Sequence, residues 1–155
     1  MVLLTLKSIK TGEEEMLHNY VEVTRIEEFC AAHRLNNPDL SDAENKRVFG
    51  KCNNAASHGH NYKVRATVRG IPDKVNGMVY DISVLKNALR TVLQQMDHKN
   101  LDQDLEYFKS HVSTTENLAI YIWEQLKNIM QKPELLWRIE VEETSKNIFI
   151  FYGPQ

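Results

Sequence analysis

The chain has few cysteines: Cys30 and Cys52 are the two thiols among 155 residues. Two thiols cannot build the disulfide framework of a small secreted domain, so a reducing cytosol is the expected setting. It also lacks an excess of either charge. Nineteen Lys and Arg stand against 21 Asp and Glu, for a net charge of −2. That balance gives no reason to expect nucleic acid or a membrane surface as partner. Long apolar runs are missing too. The apolar start, Met1 to Leu6, is too short to span a bilayer, and charges follow it at once at Lys7, Lys10 and Glu13 to Glu15. No positive segment precedes it, which argues against a signal peptide. Residues 1–20 are expected to be an extension, either an extra strand or a partly ordered tail. No repeat or low-complexity tract stands out. What is present, 42% hydrophobic and 26% charged residues, is an ordinary globular composition. The length suits a single domain with its own core, placed over residues 21–155.

Periodicity supplies the elements. Val21 to Ala32 reads as a strand, although Glu27 and Glu28 blur its alternation. Asn36 to Gly50 is polar and reads as loop, with Ser41-Asp42-Ala43-Glu44 able to cap a short helical turn. His58 to Arg69 alternates cleanly: His58, His60, Tyr62, Val64, Ala66 and Val68 share one face. After a turn region at Gly70 to Gly77, the residues Ile82, Leu85, Leu89, Val92 and Met96 recur at helical spacing. Ser113-Thr-Thr-Glu116 has the form of a capping box for a second helix carrying Leu118, Ile122, Leu126 and Ile129. Pro133 stops it. Trp137, Ile139 and Val141 alternate with Arg138, Glu140 and Glu142 in a third strand, and Asn147 to Tyr152 forms a fourth. The expected fold is therefore α+β: a four-stranded antiparallel sheet with two helices on one face. Such a sheet leaves edges to be paired, which predicts an oligomer.

The chemistry concentrates in Cys52-Asn-Asn-Ala-Ala-Ser-His58-Gly-His60-Asn-Tyr62. Residues two apart on a strand point to the same side, so His58 and His60 can grip one ion together. His33, after Ala31-Ala32, can join them from a neighbouring strand. Three imidazoles without an obvious fourth ligand match a catalytic zinc, which keeps one position open. Imidazoles also suit iron, copper and nickel. A single histidine is more often structural, but burying several on a core face without partners costs free energy. Cys52 lies in a polar loop beside Lys51, and a nearby dication would favour its thiolate, so it reads as a nucleophile or base. Cys30, inside the first strand, reads as structural. Asp97-His98 ends the first helix. It is either a histidine complementing the helix dipole or a proton relay. Glu143 shares the parity of Trp137, Ile139 and Val141, all expected to point inward, where a carboxylate needs partners. A ligand with two adjacent N–H donors would serve, and so would simple exposure at the strand end. Glu142 has the opposite parity and reads as surface.

These residues resemble the 6-pyruvoyl-tetrahydropterin synthase family, of the tunnelling fold. The matching stretches are Ala31-Ala-His33-Arg-Leu35, Phe49-Gly-Lys-Cys52-Asn-Asn54, His58-Gly-His60-Asn-Tyr62, Gly77-Met-Val79, Asp97-His98-Lys-Asn-Leu101, Ser113-Thr-Thr-Glu-Asn117 and Val141-Glu-Glu143-Thr144. They run in family order over about residues 21 to 153. The resemblance implies zinc on His33, His58 and His60, a catalytic thiol at Cys52 and a catalytic pair at Asp97 and His98. It also implies a pterin anchor at Glu143 and substrate contacts at Thr115 and Glu116. The implied reaction eliminates triphosphate from 7,8-dihydroneopterin triphosphate and rearranges the side chain to two ketones, toward tetrahydrobiopterin. The implied assembly is a homohexamer, two stacked trimers whose sheets close a barrel, with active sites near subunit interfaces. Lys51, Arg34 and Lys99 are the cations at hand for the triphosphate. Two other readings stand beside it: the related 6-carboxy-tetrahydropterin synthase of deazapurine biosynthesis, and a non-catalytic assembly stapled by zinc. The carboxy enzyme tends to place its cysteine closer to His-Gly-His, and a staple would need neither Cys52 nor Asp97-His98 nor Glu143.

Overall fold

Alternation along two long strands sets the frame. The structure, a computed structural model, describes residues 19–155, and the expectations for residues 1–18 lie outside the described residues. In chain order the elements are β1 (Val21–His33), α1 (Asp42–Phe49), β2 (His58–Gly70), α2 (Ile82–Leu93), β3 (Lys99–Asn100), α3 (Leu101–Asp104), α4 (Tyr107–Ser110), α5 (Thr115–Ile129), β4 (Leu136–Thr144) and β5 (Asn147–Phe151). β1 and β2 pair antiparallel along their whole length, from Val21 opposite Gly70 to His33 opposite His58. The sheet order is β3-β1-β2-β4-β5.

The architecture is α+β as expected, but the sheet has five strands rather than four, and the short helices α1, α3 and α4 stand beside the two that were expected. β3 pairs parallel with β1 at Ala31 and Ala32. Two residues are too few to show an alternation. β3 forms because the chain before it is pinned to β1: the Cys30 N–H donates to Asp97 Oδ1 at 2.9 Å, and the His98 N–H donates to the Cys30 carbonyl at 2.6 Å. His98 takes a left-handed backbone there, with φ of 61°.

One face of the sheet carries the helices. Tyr62, Val64, Ala66 and Val68 of β2 and Ile139 and Val141 of β4 are fully buried against Leu85, Leu89 and Val92 of α2 and Leu118, Ile122 and Leu126 of α5. Each such aliphatic side chain contributes about 1.5–3 kcal/mol of transfer free energy. The stripe frays at its ends, where Ile82 and Ile129 are exposed. α2 stops at Leu93, three residues short of the expected end, although Met96 is still buried in the turn that follows. α5 is capped one residue later than the sequence pattern suggests. Thr114, not Ser113, accepts the N–H of Asn117, and the Ser113 hydroxyl turns to the Arg34 carbonyl instead.

Trp137 also departs from its expected side. Val68 faces Leu136 while Thr67 faces Arg138, so a bulge leaves Trp137 without an opposite number. Leu136 takes the inward position and Trp137 swings outward, under the Arg69 guanidinium 4.5 Å from its ring centroid. Beyond the bulge Ile139 and Val141 face inward. The β4–β5 pairing shifts again at Glu143, between Glu142 opposite Ile148 and Thr144 opposite Asn147, and Glu143 still turns inward, to Thr115 and His60.

Candidate metal centre and active site

The three histidines meet where β1 ends and β2 begins. His33 and His58 are opposite one another in the pairing, and His60 lies two residues along the same face. Gly59 between them matters sterically: a Cβ there would sit 3.2 Å from the Ala31 carbonyl oxygen. One ligand nitrogen from each of the three histidines lies within 4.8 Å of the others. His33 Nε2 and His58 Nε2 are 3.1 Å apart. Two nitrogens bound to one tetrahedral zinc stand roughly 3.3 Å apart, given bonds of about 2.0–2.1 Å.

Hydrogen bonding and burial prepare these nitrogens as ligands. His33 is buried, and its Nδ1 lies 2.6 Å from the Ser113 carbonyl. That bond puts the proton on Nδ1 and leaves the Nε2 lone pair free, as metal-binding imidazoles require. Burial, reinforced by His58 and His60, lowers the His33 pKa against the opposing pull of Ser113. Burial likewise lowers that of His60, against the opposing charge of Glu143. Among the described residues buried His60 Nε2 has no hydrogen-bond partner. A buried acceptor without a partner is costly unless something else fills the role. Three converging imidazoles with an orphaned nitrogen fit a divalent transition metal.

Glu143 stands beside this cradle and outside the set of mutually close ligand atoms. Its Oε1 accepts from Thr115 Oγ1 at 2.5 Å and lies 3.8 Å from His60 Nε2. Thr115, the first residue of α5, is buried, so the helix start and the end of β4 hold the carboxylate between them. Glu116 is an exposed residue of the same first turn.

Cys52 sits half-buried in a 3-10 turn over Gly50–Asn53. The turn is tied to the segment just after His33. The Leu35 N–H donates to the Cys52 carbonyl at 2.9 Å, and Asn53 Nδ2 donates to the Leu35 carbonyl at 2.7 Å. Asp97 and His98 form a pair, with His98 Nδ1 3.0 Å from Asp97 Oδ2. The Cys30 N–H leads the forces that lower the Asp97 pKa, with His98 assisting. The His98 side chain is 82% exposed. Among the described residues, no hydrogen bond or ion pair joins this pair to Cys52.

The structure therefore brings His33, His58, His60, Glu143 and Thr115 together and holds the Cys52 turn against the His33 segment. It leaves Asp97 and His98 on an exposed corner. Sequence reasoning had Ser113 as a helix cap and missed its part in orienting His33. The signal was its fixed place just before α5, but only the fold reveals which histidine it meets.

An α+β scaffold presenting a three-histidine, metal-competent cradle beside a held carboxylate defines a class: enzymes that act on small ligands at the end of an open sheet. Sequence comparison narrows the class. The profile of the family described as 6-pyruvoyl tetrahydropterin synthase matches residues 22–154, and the chain belongs to that family. It is 56% identical over 133 residues to the 6-pyruvoyl tetrahydrobiopterin synthase of Drosophila melanogaster, covering 85% of this chain and 79% of the relative. Against the human 6-pyruvoyl tetrahydrobiopterin synthase it is 47% identical, covering 85% of this chain and 91% of the relative. The solved 6-pyruvoyl tetrahydropterin synthase of Caenorhabditis elegans superposes with a TM-score of 0.86 at 51% identity, over 87% of this chain and 96% of that one.

Proposed function

We propose that the chain, through one catalytic domain over residues 21–155, converts 7,8-dihydroneopterin triphosphate to 6-pyruvoyl-tetrahydropterin and inorganic triphosphate, in tetrahydrobiopterin biosynthesis. The observation that carries the reading is the convergence of His33, His58 and His60 around an orphaned Nε2, with Glu143 held alongside. Zinc is the metal the donor set suits best, and when bound it supplies Lewis acidity toward a side-chain hydroxyl of the substrate.

The residues divide the remaining work. Glu143 accepts two N–H groups from the pterin edge, and the Thr115 hydroxyl fixes the direction of its carboxylate. Glu116, in the same helical turn, is assigned to the outer rim of the substrate pocket. The Cys52 thiolate removes and returns protons on the hydroxyl-bearing carbons. Asp97 and His98 keep that thiol deprotonated, His98 as the base and Asp97 as its orienting partner. The reaction needs no outside oxidant. Hydrogen moves from the side chain to the ring, and loss of triphosphate completes the balance.

Among the described residues of one chain, no hydrogen bond or ion pair joins Asp97 or His98 to Cys52, which supports sites completed by a neighbouring copy. The edge of β1 from Val21 to Phe29 and the outer edge of β5 carry no strand among the described residues. Open edges of this kind support the homohexamer, two trimers whose sheets join into barrels. No helix among the described residues is long and apolar enough to cross a membrane. We assign the enzyme to the cytosol on its two free thiols.

The decisive experiment incubates purified protein with 7,8-dihydroneopterin triphosphate and measures triphosphate release and product identity. The expected product is the pyruvoyl pterin. A carboxy pterin would move the chain to the deazapurine enzyme, and no release at all would leave the histidines as a structural staple.

A further inference from the structure

A second feature adjoins the site and is not used by the chemistry above. Arg34, Lys46, Lys51 and Asn53 line an open cleft of about 690 Å³. Among the described residues none of these three cations joins an ion pair; every ion pair lies elsewhere. Asp42 is the one carboxylate in the lining. Glu44, also on α1, is turned away into a capping box with Ser41. The cleft thus holds three positive charges against one negative.

Its floor is fixed by hydrogen bonds. Arg34 Nε donates to the Asn53 carbonyl at 2.9 Å, and one of its terminal nitrogens donates to Asn53 Oδ1 at 3.3 Å. The other terminal nitrogen has no partner among the described residues. Buried Asn45 ties α1 to the loop before it through the Asn37 and Leu40 carbonyls. Lys46 and Lys51 are exposed and form no hydrogen bond through their ammonium groups among the described residues. Donors so arranged suit an extended anion with many acceptor oxygens.

The cleft is covalently continuous with the site on both walls. Arg34 follows His33, and Lys51 and Asn53 flank Cys52, each step spanning about 3.8 Å between Cα atoms. We propose that this cleft is the subsite for the polyphosphate end of the substrate and for the triphosphate that leaves. The inference rests on the reaction proposed above. In that elimination the ester C–O bond breaks with its electron pair on the departing oxygen, while a proton leaves the neighbouring carbon for the base. The three cations meet the charge the oxygen acquires. Lys99, on β3, is not in the lining.

The test uses the intact protein with two probes: inorganic tripolyphosphate, and 7,8-dihydroneopterin without phosphates. Lys46→Ala and Lys51→Ala should each weaken tripolyphosphate binding about three- to tenfold, and the double variant more, with the effect shrinking as salt rises. Binding of unphosphorylated dihydroneopterin should not change, and Lys74→Ala, in a distant turn, should match wild type for both probes. The subsite is overturned if the double variant binds tripolyphosphate as wild type does, or if both probes weaken alike. The functional reading fails separately. Wild type that releases no triphosphate from its substrate would refute the reaction, even where tripolyphosphate binding still depends on the two lysines.

Discussion

The two faces of β2 make opposite use of polar residues. On the outer face Arg65 reaches Glu140 and Glu142, each at 2.8 Å, and Lys63 lies 3.5 Å from Glu28. Thr24 and Thr67 share a hydrogen bond at 2.8 Å across the β1–β2 pair. Charge there is balanced locally. On the inner face His58 Nδ1, His60 Nε2 and the Tyr62 hydroxyl have no hydrogen-bond partner among the described residues, although all three atoms are buried. These occupy consecutive inward positions of one strand. The Tyr80 hydroxyl and Arg138 Nε are also buried without a partner among the described residues, so it is the clustering of three such groups along one strand face that marks the site.

The sharpest way to break this comparison is to remove a cradle histidine. His58→Ala should lose zinc, measured by metal analysis, and should lower turnover by about 10³-fold or more, since Lewis-acid assistance is worth several kcal/mol. A variant with full zinc and full activity would end the assignment. Next comes the thiol. Cys52→Ala should keep zinc and fold yet lose about 10²–10⁴-fold in turnover, the usual share of a positioned proton-transfer group. Cys30→Ser should be nearly silent, and equal losses from both would mean the two thiols were misassigned.

The pair Glu143 and Glu142 tests the faces directly. Glu143→Gln should cost roughly 2–4 kcal/mol in kcat/KM with zinc retained, because pterin donors lose their acceptor. Glu142→Gln should leave kinetics alone and give up only its share of the Arg65 ion pair. Thr115→Val should be milder than Glu143→Gln, about 1 kcal/mol and mostly in KM, since it removes one hydrogen bond to the carboxylate.

The smallest effect concerns Glu27, which lies between Arg25 and Arg90. Burial pushes its carboxyl up, but hydrogen bonds and charge from both arginines outweigh that and lower its pKa overall. A lowered carboxyl stabilises the fold above its unfolded value and loses that contribution as pH falls through the folded one. Glu27→Gln should therefore cost at most about 1 kcal/mol near neutrality, and the gap to wild type should close in acid denaturation curves. A gap that widens in acid would reverse the sign.

Parity made much of the site readable in advance. His58 and His60 at i and i+2, and Glu143 in step with Ile139 and Val141, depend only on the two-residue period of a strand. The histidine partner across the sheet was also readable, since His33 closes a strand that must pair. What stayed hidden depends on contacts distant in sequence. β3 exists because Asp97 and His98 grip Cys30, and two residues leave no periodic trace. Glu27 faces in by the same parity as Phe29, Ala31 and His33, and what the sequence hid is that Arg90 on α2 comes to meet it. Ser113 and Thr114 are both good caps, and Ser113 is drawn off by Arg34 while its carbonyl serves His33. The cation cleft needed the loop after β1 and the turn after α1 to come side by side.

The bulge at Trp137 acts as a slip of phase in a two-state count. Before it and after it, odd and even residues of β4 exchange sides. A length change upstream of Leu136, in the turn leading from α5, can be taken up without moving anything that follows. One residue added between Arg138 and Val141 cannot. It would swing Glu143 to the balanced outer face and carry Glu142 to the cradle, reversing the roles of two identical side chains. The tolerance of this chain to insertion should therefore change abruptly within β4, at the residue where the slip ends.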